Sequence, residues 1–391
     1  MEEVNTSSGI NQKPNEGIKK KLFIAIVILF LIGFIVANIY LFFPTLLPPL
    51  KIGNIGIAQE NTQQTEQDIQ DYEDETQYED NIIGNNEQPP VEQQQEEKKI
   101  LTGVGTKIYV INQFSNDVWL INLDEESVIK KIPVGNTPVD GSYDGEMLYV
   151  SNSNSDTISV IDGMYDKVVE TIPTGRNPQG IIAVNGEVFV ANSGENSMHA
   201  IDLKTKEKKD VEFMAGPTFM MPNAKRTRFY LASSDSNRLT IINPSIKSVI
   251  KNIEVGTRPN YAAVSDDESF AITTNKDSND ISVIPLKLQK ESQRIPTGIT
   301  PVSVAISEDN QLAFVANKDS GDLAVVSLNT MKVVKRIDIG TPTYVKVIGD
   351  RVYVTSQTKN WIYIIDIKKL KIIGSIPTGI GPASIVVKEN V

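Results

Sequence analysis

The sequence predicts an all-β protein, a seven-bladed β-propeller of four-stranded blades, preceded by one N-terminal transmembrane helix and a disordered acidic linker. Three observations predict it. A short strand of the form Tyr/Phe-Val-x-Asn recurs at intervals of about forty residues. One long uncharged apolar run stands near the start of the chain. Between the two, acidic and amide side chains displace apolar ones. The expected boundaries are 1–21 for a cytoplasmic tail, 22–43 for a transmembrane signal anchor, 44–106 for the linker and 107–391 for the propeller.

The anchor reads LFIAIVILFLIGFIVANIYLFF from Leu22 to Phe43 and carries no charge. As a helix it spans roughly 33 Å at about 1.5 Å per residue, enough for the hydrocarbon core. Lys19, Lys20 and Lys21 precede it directly, and the next lysine after it is Lys51. The positive-inside rule then places the N-terminus in the cytoplasm and the rest outside, in a single-pass protein of the cell membrane. A cleaved signal peptide has a shorter apolar region of about 7–15 residues and a small-x-small cleavage site. Here the run ends Tyr40-Leu41-Phe42-Phe43-Pro44, so an uncleaved anchor is expected.

The linker holds most of the charge. Residues 60–99 contain 13 Asp and Glu against two Lys, a net of −11, equal to that of the whole chain. Residues 1–51 sum to +2, which leaves the propeller segment near −2. No global field there favours nucleic acid as a partner. Segments such as QDIQDYEDETQYED have too few apolar residues to offset the entropy of ordering, and their like charges extend them. This reads as a spacer.

Within 107–391 the first recurring strand is YVIN at Tyr109, YVSN at Tyr149, FVAN at Phe189, YLAS at Tyr230, ITTN at Ile272, FVAN at Phe314 and YVTS at Tyr353. A second strand follows each, as in ISVID from Ile158 and IYIID from Ile362. A third runs into a glycine-proline turn, as in ETIPTGRNP, QRIPTGITP and GSIPTGIGP. A fourth begins after the proline, as in PVSVAI from Pro301. Val, Ile and Tyr fill the strands, and Gly, Pro, Asn and Asp fill the turns. One such sheet cannot bury both faces alone, whereas a radial ring of them buries all. The first repeat lacks its innermost strand, and PASIVVKEN at the C-terminus has no successor. Ala383 to Lys388 is therefore expected to complete the blade begun by Lys107 to Val134.

Together the YVSN, FVAN and YVTS strands, the VID strand and the IPTG-x-x-P turn resemble the YVTN (Tyr-Val-Thr-Asn) β-propeller repeat family, with its YncE-like and surface-layer-type members. The resemblance covers residues 107–391 and implies the propeller fold. The family includes surface-layer-type proteins, exported propellers and propellers similar to lactonases and cofactor-bearing reductases. No single catalytic set unites them, so the resemblance implies no catalytic residue here.

The chain has no cysteine and one histidine, His199. Disulfides and cysteine-ligated zinc are excluded, and a His-based triad has a single candidate base. No catalytic residue, metal ligand or cofactor is assigned. In a propeller the turns into each innermost strand share a face with the loops between second and third strands. The binding candidates on that face, around the channel, are Asp140, Tyr143, Arg176, Asn177, Phe219, Arg258, Asn260, Tyr261 and Tyr344. Arg176 and Arg258 suit an oxyanion, and the aromatic rings suit flat apolar contact. The loops NKDSND and NKDSGD carry hard oxygen ligands suited to calcium, but hairpin turns demand the same residues. The third repeat departs from the pattern over Val211–Phe229, where Met214, Met220 and Met221 cluster; core packing, an apolar contact surface and a methionine copper site are the readings.

The expected function is a non-enzymatic binding or interaction module at the cell envelope, presenting its loop face to a protein, glycan or other envelope ligand. The alternative is an extracytoplasmic hydrolase of lactonase type or a quinoprotein-like oxidoreductase using the channel mouth.

Overall fold

The computed structural model describes residues 105–213 and 215–388. The chain divides into two units, Met1–Asn85 and Asn86–Val391, and all the described residues belong to the second. The anchor, the cytoplasmic tail and nearly all of the linker lie outside them. No helix among the described residues is long and apolar enough to cross a membrane.

Seven four-stranded antiparallel sheets form the seven blades. The innermost strands of blades 2 to 7 are Pro138–Tyr143, Pro178–Val184, Pro217–Pro222, Pro259–Val264, Pro301–Ile306 and Pro342–Ile348. Each opens on the proline of its turn, where a missing N–H costs least. Blade 1 takes its innermost strand from the C-terminus. Pro382–Lys388 pairs antiparallel with Lys107–Asn112, Lys388 opposite Lys107 and Ile385 opposite Val110. The closing strand is fixed twice more: Ser384 Oγ donates to Asp140 Oδ1 at 3.0 Å, and Lys388 Nζ meets Asp166 Oδ1 at 2.8 Å.

The sheets bury one another face to face. Tyr149, Ile158 and Val160 of blade 2 pack on Ile181, Val188 and Val190 of blade 3. Phe189 of blade 3 and Phe229 of blade 4 meet edge to face, with ring centres 4.9 Å apart. Outermost strands have one unpaired edge, and there Ile129, Val169, Ile250 and Val334 are exposed. Lys130, Glu170, Lys251 and Lys335 follow them in sequence, placing charge on edges that would otherwise recruit further strands.

The recurring residues have a common physical reason. In five blades the YVxN-type strand ends in a fully buried asparagine that lies against the glycine of the turn leading into its blade; Ser233 and Ser356 take its place in the other two. A Cβ on Gly298 would stand 2.6 Å from Asn317 Cγ, and one on Gly135 2.6 Å from Asn152 Cγ. The glycine and the asparagine are therefore one packing unit split across the motif. Gly298→Ala is expected to cost about 1–3 kcal/mol by overpacking, read as a lower urea midpoint, whereas Gly349→Ala, with nothing near its added carbon, carries only the penalty of a left-handed backbone.

The Asn/Asp-rich loops are committed in the same way. The last residue of the loop accepts, through its side-chain oxygen, the backbone N–H of the turn residue before the next proline. Asn116 serves Thr137, Asp156 serves Asn177, Asn196 serves Gly216, Asn237 serves Arg258, Asn279 serves Thr300 and Asn360 serves Gly381, at 2.8–3.0 Å. The served residues all have positive φ, a conformation that costs threonine and arginine energy and is held by this bond. In NKDSND, Asp280 accepts from Asn275 and Ser278; in NKDSGD, Asp322 accepts from Asn317 and Arg336. These oxygens build turns.

In the third repeat Gly216 and Pro217 make the same capped turn. Met220 is buried with Ile182, Phe189 and Phe229, and Met221 reaches the channel. Core packing accounts for Met220; Met214 lies outside the described residues. The outer strand of blade 3 shrinks to Lys208–Asp210, all exposed.

Candidate binding site at the channel mouth

The site grows out of the repeat. The residue that follows each strand-ending Asn or Ser donates its backbone N–H to the turn of its own blade. Gln113 bonds Gly381, Ser153 bonds Thr137, Ser193 bonds Asn177 and Ser234 bonds Gly216. Lys276 bonds Arg258, Lys318 bonds Thr300 and Gln357 bonds Thr341, the whole set spanning 2.7–3.1 Å. One backbone bond repeated seven times thus sets a ring of seven side chains around the loop face. Three serines occupy blades 2 to 4. Two lysines and two glutamines occupy blades 5, 6, 7 and 1.

Beneath the lysine and glutamine side lies a cavity of about 200 Å³. Its wall includes Gln113, Lys276, Lys318 and Gln357 from the ring, together with Gln179, Asn260 and Thr343 from the second position of the innermost strands. Phe219, Tyr261 and Tyr344, from the third position, are its aromatic part. Gln357 Nε2 donates to Gln113 Oε1 at 3.3 Å, and Gln179 Nε2 to Asn177 Oδ1 at 2.9 Å.

The waist of the channel is a tyrosine pair. Tyr261 and Tyr344 stand edge to face with hydroxyls 3.2 Å apart, and Phe219 packs on Tyr261 at 5.8 Å. Tyr261 also donates to Met221 Sδ at 3.8 Å. Burial first, then the neighbouring tyrosine and Asp140, holds the Tyr261 hydroxyl well above its ordinary range. Burial and Asp140 push Tyr344 up to about 12. Tyr344 lines a second cavity on the opposite side, of about 460 Å³, walled by Val304, Ile306, Val345 and Val347 with Asp266 and Glu308 among its lining residues. At that end, over blades 2 to 4, Arg226 reaches across to donate to the carbonyls of Ala183 and Tyr143 at 2.6 and 3.1 Å.

Asp140 is buried at the waist between the closing strand and blade 3. It accepts from Ser384 and from the Ile181 N–H at 3.3 Å, and burial raises its carboxyl from 3.8 to about 7. Lys276 is pushed below its ordinary range by burial, then by the charges of Lys318 and Arg258.

Of the sequence candidates, Phe219, Asn260, Tyr261 and Tyr344 line the mouth cavity. Asp140 lies below it. Arg176, Asn177 and Arg258 are exposed on the rim outside its lining, with Arg258 paired to Asp277 at 3.4 Å. Tyr143 is carried to the far end, because it is the last residue of a strand that runs away from the mouth; its hydroxyl donates to Gly145 at 2.7 Å. His199 sits on the third strand of blade 3, Nε2 3.5 Å from the exposed Asp210, away from the channel. Sequence reasoning did not single out Lys276, Lys318, Gln113, Gln179 or Gln357. Reading one residue past each YVxN-type motif gives Gln, Ser, Ser, Ser, Lys, Lys, Gln, which is the ring itself.

A closed ring of seven four-stranded blades, with a polar mouth over an aromatic waist, defines a β-propeller. Residues 188–390, more than half of the chain, match the model of the YNCE-like β-propeller family, and the chain belongs to that family. None of the curated proteins compared with the chain matches it. Among solved structures it is similar to a functionally unknown protein from Desulfotomaculum acetoxidans, with a TM-score of 0.61 and 13% identity over 72% of this chain and 98% of that one. It is also similar to hydrazine synthase from Kuenenia stuttgartiensis, with a TM-score of 0.57 and 16% identity over 63% and 88%. The dihydro-heme d1 dehydrogenase NirN in complex with DHE gives a TM-score of 0.55 and 13% identity over 72% and 74%. These likenesses are likenesses of fold.

Proposed function

We propose that the chain is a membrane-anchored, extracytoplasmic binding module whose propeller engages an envelope ligand through the channel mouth. The observation that carries this reading is the convergence of two ammonium groups, three glutamine amides and three aromatic rings on one small cavity. These groups recognise by charge, hydrogen bonding and flat contact. The buried carboxyl nearest the waist, Asp140, is committed to Ser384 and Ile181 between blades, which suits a positioning role rather than chemistry on a ligand.

The placement outside the membrane rests on the uncharged run Leu22–Phe43 and the lysines before it. Intact cells treated with a membrane-impermeant amine reagent are expected to show labelled propeller lysines. Protection until the cells are lysed overturns the topology. For the binding role, the full chain in nanodiscs is expected to retain envelope glycan or protein fractions without converting them. Turnover of lactone substrates, abolished by Asp140→Asn, favours the hydrolase reading instead.

A further inference from the structure

We propose that the mouth cavity takes a small carboxylated sugar, its carboxylate between Lys276 and Lys318 and its ring against Phe219 and Tyr261. This rests on the reading of the mouth as the binding face and names the ligand class.

The charge argument comes first. Lys276 and Lys318 occupy equivalent places in adjacent blades and line one cavity. The acid that follows each in sequence is turned elsewhere: Asp277 pairs with Arg258 at 3.4 Å, and Asp319 accepts from Thr300 Oγ1 at 2.6 Å. Two like charges beside a partly desolvated space repel, and burial first, then the Lys318 charge, holds the Lys276 ammonium below its ordinary range. An oxyanion between them relieves both effects, and lysines bind it as point charges.

The body of the ligand follows from the walls. Gln113, Gln179 and Gln357 present side-chain amides, which suit a hydroxylated ring, while the Thr343 hydroxyl is given to the Pro382 carbonyl at 2.7 Å. A flat aromatic acid offers nothing across its faces to the donor and acceptor valences these amides keep beyond the Gln357–Gln113 and Gln179–Asn177 bonds, a difference that sites built of hydrogen-bonding groups turn into discrimination. The aromatic rings below suit the C–H face of a sugar. At about 200 Å³ the space is below the roughly 300–1,000 Å³ of drug-sized pockets, which fits an acid of one ring.

The test is calorimetric titration of the full chain in nanodiscs with glucuronate, glucose and inorganic phosphate. Glucuronate is expected to bind, more weakly as salt rises, and glucose to bind at least about tenfold more weakly. Lys276→Met and Lys318→Met are each expected to weaken glucuronate roughly tenfold, the double variant further, and Lys276→Arg to retain binding. Thermal melts confirm that each variant is folded. Equal binding of glucose, no binding of glucuronate, or a lysine double variant that binds as wild type overturns the proposal. So does phosphate that displaces glucuronate at equal concentration, since the sugar body is then not read. Loss of glucuronate binding in Phe219→Ala, with binding kept in the lysine double variant, overturns the charge assignment yet leaves the mouth as the binding face. Consumption of glucuronate overturns the binding-module reading while leaving the lysine assignment intact.

Discussion

A chain ending at Gly381 is expected to lose its cooperative unfolding transition. Removing the closing strand strips the partner from Lys107–Asn112, whose Ile108, Tyr109, Val110 and Ile111 are fully buried. It also removes Ile385, worth about 1.5–3 kcal/mol as a fully buried side chain. It breaks the Lys388–Asp166 pair, in which both side chains are largely buried and the acid also accepts from Tyr109. Leaving one member of such a pair alone costs about 3–5 kcal/mol. These losses together are on the order of the 5–15 kcal/mol that stabilises a whole domain. Near-ultraviolet circular dichroism and gel filtration check it: the truncated chain should show weak tertiary signal and associate through its open edge. A permutant with Pro382–Lys388 placed directly before Lys107, as in the hairpin of every other blade, should restore the transition. A truncated chain that melts as sharply as the full one removes the basis for ring closure by this strand.

The second large effect is on pH dependence. Asp140 keeps its proton in the folded state up to about pH 7, whereas the unfolded chain releases it near 3.8. Between those values the folded state binds the extra proton, so this group's stabilisation is complete below about 3.8 and is lost as pH rises through about 7. At 1.36 kcal/mol per pKa unit the swing is about 4 kcal/mol. Asp140→Asn removes it, because the amide cannot ionise among Ser384, Tyr261 and Tyr344. The variant is expected to gain on wild type as pH rises from 4 to 8, and to be more stable at pH 8. Urea midpoints at three pH values test this. Parallel profiles for the two proteins mean that channel water already solvates the carboxylate.

The fold was legible because a propeller writes its period into the chain. The strand that ends in asparagine and the turn that carries glycine recur since Asn317 packs on Gly298, as Asn152 does on Gly135. The orphan strand PASIVVKEN announced the closure that Ile385 and Val110 now make. The site was only half legible. Tyr261 and Tyr344 stand out as large residues at a turn-proximal position, but their meeting skips a blade and spans 83 residues. Lys276 and Lys318 are ordinary in composition, and only the register of the repeat gives them a common place. Tyr143 and Asp140 share one strand, yet one lies at the waist and the other at the far end; turn proximity alone does not resolve depth along an axis. Arg226 finds the carbonyls of Ala183 and Tyr143, 43 and 83 residues away, through contacts that no local pattern encodes.

The two vestibules of the channel share one side chain at the waist. Tyr344 lines the vestibules on both sides and is tied by its hydroxyl to Tyr261, so a change at this one side chain reshapes both faces of the ring at once.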